Sequence, residues 1–211
     1  MSNAPVTNLA FRAQASANTT ATAASIVVPA TVQVGDQLLL FVTANIDTTA
    51  TTPTGWTLLA TQQDGTPDVR TWVFTRTAAA GVAGSTVTST LGASGKVSRL
   101  LVAYSGADAI TVNASSVMGA SSTALATPSV AVAENNSLVV SYWVDKSAGN
   151  TGWTLPGTVT SRSTSLGSGS GQVTAAAGDS VANAGPWPGA TANSSVAGSK
   201  GIAFSVVVSP A

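Results

Sequence analysis

The chain has 211 residues with neither Cys nor His, and its eight acidic side chains balance eight basic ones. These features exclude disulfide frameworks, thiolate or His-ligated metal sites, and Ser-His-Asp or Cys-His catalysis. Charged residues make up only 8% of the chain, so they offer no dense Lys/Arg patch for phosphates, and we expect no nucleic-acid partner. No apolar run reaches the roughly 18 residues of a membrane span, and Met1 to Gln14 lacks the pattern of a signal peptide. We therefore expect no membrane insertion and no export by the ordinary N-terminal signal.

The first quarter of the chain predicts two strands and then a strongly apolar one. Residues 1–24 are interpreted as an N-terminal arm with an edge strand at Leu9-Ala10-Phe11, and Ser25 to Pro29 forms a β-branched strand. The turn at Gly35-Asp36 begins the most apolar run of the chain, Gln37 to Ile46. Alternation along this run predicts a core face formed by Leu38, Leu40, Val42, Ala44 and Ile46.

The middle of the chain continues with short strands separated by turn residues. Trp56 to Gln62 is predicted as a strand, and the turn at Asp64-Gly65-Thr66-Pro67-Asp68 leads into another at Val69 to Thr77. Ser85 to Leu91 and Val97 to Ser105 follow. This spacing of strands and turns is typical of an antiparallel sandwich.

The second half repeats this order. The run Ser137 to Val144 has a predicted core face of its own, and the chain ends on an apolar strand, Ile202 to Val208. Between them, Ser163 to Gly171 is interpreted as a low-complexity loop. The predicted core residues of the first of these strands are Leu138, Val140, Tyr142 and Val144.

Two identical pentapeptides indicate an internal duplication. Thr54-Gly55-Trp56-Thr57-Leu58 and Thr151-Gly152-Trp153-Thr154-Leu155 each follow a strongly apolar strand. We therefore predict an all-β protein, an antiparallel jelly-roll-like β-sandwich with an internal duplication. A single domain would span residues 25–211, with pseudo-repeats 25–106 and 121–211; two small sandwiches are the alternative.

Carboxylates offer the remaining route to catalysis, and they lie mainly in predicted turns. Asp in a turn usually accepts backbone hydrogen bonds, so we predict no catalytic pair, no enzyme activity and no cofactor. Asp64 and Asp68 could approach a calcium ion, but a simple turn is the favoured interpretation because no further acid lies nearby in the sequence. The acids are Asp36, Asp47, Asp64, Asp68, Asp108, Glu134, Asp145 and Asp179.

The five tryptophans divide into two groups. Trp56 and Trp153 are predicted to be buried equivalents in the two repeats, with Trp72 beside them. Trp143 and Trp187 are predicted surface contacts, since rigid aromatic rings suit sugar stacking or a protein interface. The alternative is that these two rings cap the ends of the sandwich.

Several strands carry apolar residues on both faces, although a sandwich strand needs only one buried face. The second face would be covered either by loops of the same chain or by another subunit, and a weakly charged surface would not oppose self-association. We therefore predict a homo-oligomer. The predicted subunit interface consists of Leu39, Phe41, Leu101, Val139 and Val207.

Across residues 20–210 the sequence resembles β-sandwich proteins of bacteriophage virions and of bacterial surfaces. The resemblance implies a non-enzymatic virion structural protein, either a head-decoration protein or a tail accessory (minor tail) protein, assembled in the host cytoplasm with other virion proteins. A carbohydrate-binding module for cell-surface polysaccharide is the alternative it implies, with a host-surface glycan as partner. The segments that carry the resemblance are Val28-Pro29, Gly35-Asp36-Gln37-Leu38-Leu39-Leu40, Pro53 with Gly55-Trp56-Thr57-Leu58, the Trp72, Phe74 and Arg76 strand, and Leu101-Val102-Ala103-Tyr104-Ser105-Gly106.

Overall fold

The structure is a computed structural model that describes residues 8–64 and 68–211. Those residues form strands, turns and loops, without a helix. The strands are β1 (Ala10–Val27), β2 (Gln37–Ala44), β3 (Thr57–Gln63), β4 (Arg70–Thr77), β5 (Thr86–Ser105), β6 (Asn113–Val117), β7 (Ser122–Ala126), β8 (Val130–Val132), β9 (Ser137–Lys146), β10 (Trp153–Thr154), β11 (Thr160–Ser165), β12 (Val173–Ala182), β13 (Gly185–Trp187), β14 (Thr191–Gly198) and β15 (Gly201–Val208).

Two five-stranded sheets organise the molecule. The first sheet has the strand order β1-β5-β2-β4-β3, and the second has the order β11-β12-β9-β15-β6. Strands β10-β14-β7 form a three-stranded covering sheet, and β13 pairs with β8. Neighbouring strands pair antiparallel throughout. The predicted all-β antiparallel sandwich is therefore confirmed.

The strand order supports the predicted duplication. In the first sheet the edge strand β1 lies next to β5, which is the last strand of the first half of the chain. The apolar central strand β2 comes next, followed by β4 and β3. Read from β6, the second sheet follows the same pattern as β6-β15-β9-β12-β11. The duplication and the jelly-roll description nevertheless remain predictions.

The two large sheets share one core. Phe41 of β2 stacks on Tyr142 of β9, with ring centroids 4.2 Å apart and planes 4° from parallel. The Tyr142 hydroxyl also lies 2.8 Å from the hydroxyl of Thr43. Leu39 and Phe204 belong to the same buried cluster. Because this cluster takes residues from both halves of the chain, each half completes the core of the other.

The core face predicted for the first central strand is not the one that faces the second sheet. Leu39 and Phe41 face that shared core, whereas Leu38 and Leu40 lie in a separate cluster on the outer face of the first sheet. Side chains alternate along a strand, so a shift of one residue in the assumed alignment of β2 with β9 assigns every side chain of β2 to the opposite face of its sheet. In β9 the predicted face does point into the shared core; its residues are Leu138, Val140, Tyr142 and Val144.

The outer face of the first sheet is covered by the same chain. The distal part of the antiparallel β1–β5 pair, where Ala23 to Val27 pairs with Thr86 to Thr90, contributes Ile26 and Val87 to the outer cluster. Trp56 joins that cluster. On the second sheet, two clusters involving the covering sheet and the β8–β13 pair have the same role.

The predicted subunit interface is therefore wrong. Its residues are buried within one chain because loops and short sheets cover the second face of each central strand, which was the alternative explanation. Leu39 and Phe41 lie between the two sheets, and Leu101 lies in the outer cluster of the first sheet. Val139 and Val207 pack in the cluster beneath the β8–β13 pair.

Two predicted boundaries also differ from the structure. The boundary at residue 24 falls inside β1, which runs to Val27 because its distal part pairs with β5. The loop predicted from Ser163 begins later, since Ser163 to Ser165 continue β11 and pair with β12.

Candidate binding groove

The aspartates are engaged by neighbouring groups of the fold. Asp36 pairs with Arg12 and accepts a hydrogen bond from the Gln33 amide at 2.8 Å. Asp47 pairs with Arg70 at 3.3 Å. Among the described residues, no three carboxylates cluster as a metal site would require. The absence of a catalytic site and of a bound metal or cofactor stays a prediction.

The Asp64 to Asp68 segment has the geometry of a capped turn at its described ends. The Asp64 carboxylate accepts a hydrogen bond from the Asp68 amide at 3.4 Å, and burial raises the pKa of Asp64. Asp68 pairs with Lys146 at 3.5 Å and also with Lys200. Residues 65–67 of the predicted turn lie outside the described residues.

The most structured polar group lies around Asp179 on β12. Both carboxylate oxygens accept hydrogen bonds from Arg162, from Nε at 2.8 Å and from Nη2 at 2.9 Å. The Tyr104 hydroxyl, from the first sheet, donates to the same carboxylate at 3.0 Å. This bidentate pairing raises the pKa of Arg162, while burial is the main cause that raises the pKa of Tyr104. The carboxylate of Asp179 is therefore held in place by hydrogen bonds from two residues, Arg162 and Tyr104.

A β-bulge directs Arg162 toward this carboxylate. The pairing of β11 with β12 shifts register between Ser161 and Ser163, which leaves Arg162 as the extra residue. Bulges bend a strand and re-aim the side chain they carry. The guanidinium also lies 4.5 Å from the centre of the Phe11 ring. Held between a carboxylate and an aromatic face, Arg162 has little freedom to move.

The Arg162–Asp179 pair lines an open groove of about 610 Å³, within the range of about 300 to 1,000 Å³ typical of ligand sites. Trp187, at the end of β13 and between Pro186 and Pro188, also lines this groove. Its ring is partly exposed, yet its Nε1 is shielded from solvent and has no hydrogen-bond partner among the described residues. The remaining lining residues are Leu138, Thr158, Thr160, Ser180, Val181, Pro188 and Gly189.

A second cavity adjoins this groove. Leu138 and Val181 also line a second cavity of about 560 Å³, which extends to Leu9 and Pro210. Val181 is 71% exposed. The two cavities therefore adjoin at these two residues. We call the cavity beside Trp187 the Trp187 groove.

Of the two predicted surface tryptophans, only Trp187 lines this groove. The prediction for Trp143 is wrong, because the residue is 0% exposed and packs beneath the covering sheet with Ala192 and Ala203. Its side chain is on the face of β9 opposite the shared core, and the covering sheet buries that face.

The duplicated tryptophans are not buried equally. Trp56 is buried in the outer cluster together with Trp72, as predicted. Trp153 is partly exposed and donates from Nε1 to the Thr174 carbonyl at 3.0 Å. The two rings therefore have different surroundings.

The sequence did not predict three residues of this site, Arg162, Asp179 and Tyr104. Tyr104 and Asp179 lie 75 positions apart in the chain, and no local motif links the two residues. The Pro-Trp-Pro sequence around Trp187 was the one usable signal, since prolines hold an aromatic residue in a rigid loop.

Comparisons with known proteins assign no relative: no protein family, no curated protein and no solved structure matches the chain. The described part of the chain has no helix that could span a lipid bilayer.

Proposed function

We propose that this chain is a non-enzymatic structural protein of a bacteriophage virion, a head-decoration or tail accessory protein that assembles with itself and with other virion proteins in the host cytoplasm. The sequence resemblance supports the virion setting. The observation that carries the structural role is that the aspartates hold the fold together instead of meeting as a free pair in a cleft.

Three aspartates illustrate this use of charge. Asp179 joins the two large sheets through Tyr104. Asp36 joins the start of β2 to Arg12 on β1. Asp47 pairs with Arg70 of β4 at 3.3 Å. A glycosidase needs two carboxylates that flank a substrate, and these carboxylates are committed to internal contacts.

The edges of the large sheets are also suited to a repeated component of a particle. Asn18 of β1 donates to the Val173 carbonyl at 2.8 Å beside β11. Ser115 of β6 donates to Gln62 of β3 at 2.7 Å. Each edge strand of one sheet thus meets an edge strand of the other, which protects against uncontrolled strand addition.

The proposal is tested on phage particles produced by the bacterium that carries the gene. Particles purified by density gradient are analysed by quantitative mass spectrometry, and an antibody against the recombinant chain is used for immunogold microscopy. We expect the chain in fixed proportion to the major capsid protein, with gold on the head or on the tail. Its presence in the lysate but absence from infectious particles would contradict the proposal.

The Trp187 groove favours a second candidate function, recognition of cell-surface polysaccharide. The specific observation is that the partly exposed ring of Trp187 and the fixed guanidinium of Arg162 line the same groove. A virion component can carry such a site, so the two functions are compatible and are tested separately.

A further inference from the structure

We infer that the Trp187 groove binds a neutral polysaccharide, with Trp187 as the stacking surface and Arg162 as a fixed hydrogen-bond donor. This inference rests on the second candidate function and adds the ligand class, the residues in contact and the extent of the site.

Trp187 presents an apolar aromatic surface to the groove. Its Nε1 is shielded from solvent, so the accessible part of the indole presents ring carbons. The ring is wedged against two buried clusters, one under the covering sheet and one under the β8–β13 pair, which keeps it in place. A rigid aromatic surface of this kind matches the C–H face of a pyranose ring.

Arg162 supplies hydrogen-bond donors whose direction is already fixed before a ligand binds. Its Nε and Nη2 are held by Asp179, and the guanidinium lies against Phe11. Within the described residues, Nη1 forms no hydrogen bond and is available to sugar hydroxyls. A donor that is already held in place loses little entropy on binding. The exposed residues Thr158 and Thr160 add hydroxyl groups nearby.

The charge of the groove favours a neutral ligand. Arg162 and Asp179 are the only ionisable residues among those that line the cavity beside Trp187, and they neutralise each other. An acidic polysaccharide would place its carboxylates near Asp179 without an unpaired cation to receive them. A neutral sugar needs only hydrogen bonds and apolar contact, which the groove provides.

The extent of the groove favours a chain of sugars over a single residue. The Trp187 groove and the adjoining cavity beside Leu9 have Leu138 and Val181 in common, so a ligand that passes over Val181 can contact both. Both cavities are open to solvent. An internal segment of a polysaccharide fits such a site better than a free monosaccharide.

The experiment uses the full chain with two substitutions of similar reach and opposite charge, Val181→Arg and Val181→Glu. Val181 is 71% exposed, so either side chain enters the groove with little effect on the fold. Val27→Arg and Val27→Glu are the matched controls, because Val27 is also a strand valine, is 55% exposed and lies outside the groove. Binding is measured by affinity electrophoresis and calorimetry with soluble β-glucan, α-glucan, mannan and galactan, and with alginate and hyaluronate as acidic polysaccharides.

We expect at least one neutral polysaccharide to bind, and both Val181 variants to lower its affinity by at least tenfold while the Val27 controls leave it unchanged. Trp187→Ala should lower the affinity similarly, with thermal unfolding recorded because this ring also packs inside. If only acidic polysaccharides bind and Val181→Glu alone weakens them, the candidate function stands and the neutral assignment is overturned. If no polysaccharide binds, or if Val27 and Val181 variants behave alike, the groove is not the site and the inference falls.

Discussion

Asp145 is a fully buried carboxylate at the end of β9. Ser147 and Asn150 donate hydrogen bonds to it, yet it forms no ion pair within the described residues. Burial is the main cause that raises its pKa above the ordinary value of 3.8. The uncompensated charge therefore has an energetic cost in the folded protein at neutral pH.

This cost predicts a pH dependence of stability. Between the unfolded-state pKa and the raised folded-state pKa, the folded protein binds more protons than the unfolded chain, so its stability falls as the pH rises through that window. We expect the free energy of unfolding, measured with urea from about pH 3 to pH 7, to fall less steeply in Asp145→Asn than in the parent. Burial raises the pKa of Asp64 in the same direction, so some dependence should remain. Equal slopes for parent and variant would contradict the assignment to Asp145.

At the scale of elements, the contact between β1 and β11 joins the edges of the two large sheets. Asn18 donates to the Val173 carbonyl at 2.8 Å and to the Ser165 hydroxyl at 3.3 Å. Ser163 donates to Gln14 at 2.7 Å. The two sheets are therefore connected by side-chain hydrogen bonds at this edge in addition to the shared core.

Removal of this contact should have a moderate effect. We expect Asn18→Ala to lower the free energy of unfolding by about 1 to 2 kcal/mol, because two hydrogen bonds are lost and the Val173 carbonyl loses a donor. The control is Asn113→Ala on the edge strand β6, whose side chain forms no hydrogen bond in the described structure; it should change stability by less than about 0.5 kcal/mol. Chemical denaturation of both variants checks the prediction, and equal effects would show that the edge contact adds nothing.

For the whole molecule, the shared core makes the two halves one cooperative unit. Phe41 and Tyr142 come from different halves, stack at 4.2 Å and are completely buried. We expect Phe41→Ala to lower the free energy of unfolding by about 3 to 5 kcal/mol, with a single calorimetric transition retained in both parent and variant. The variant should also keep the oligomeric state of the parent, since this ring faces the interior. Two separate transitions, or dissociation without unfolding, would contradict the shared core.

The duplicated segments show how far local patterns reach. Both Gly-Trp pentapeptides were identified correctly as strand-associated features, and Thr57 and Trp153 do begin strands. The packing of the two tryptophans could not be predicted from these pentapeptides, because Trp56 is buried in an outer cluster whereas Trp153 is partly exposed. Identical residues acquire different surroundings when the covering elements differ, as the antiparallel β1–β5 pair and the separate covering sheet do here.

The sequence by itself determined the all-β class, since β-branched residues, period-two alternation and turn residues act over a few positions and need no partner. Only the tertiary structure decided what covers each face of the central strands. Where Leu38, Leu39, Leu40 and Phe41 are consecutive and all apolar, alternation marks two faces but does not say which neighbour buries either one. The Trp187 groove was beyond the sequence for the same reason: Tyr104, Arg162 and Asp179 meet through a bulge and the packing of two sheets, contacts that no short stretch of residues encodes.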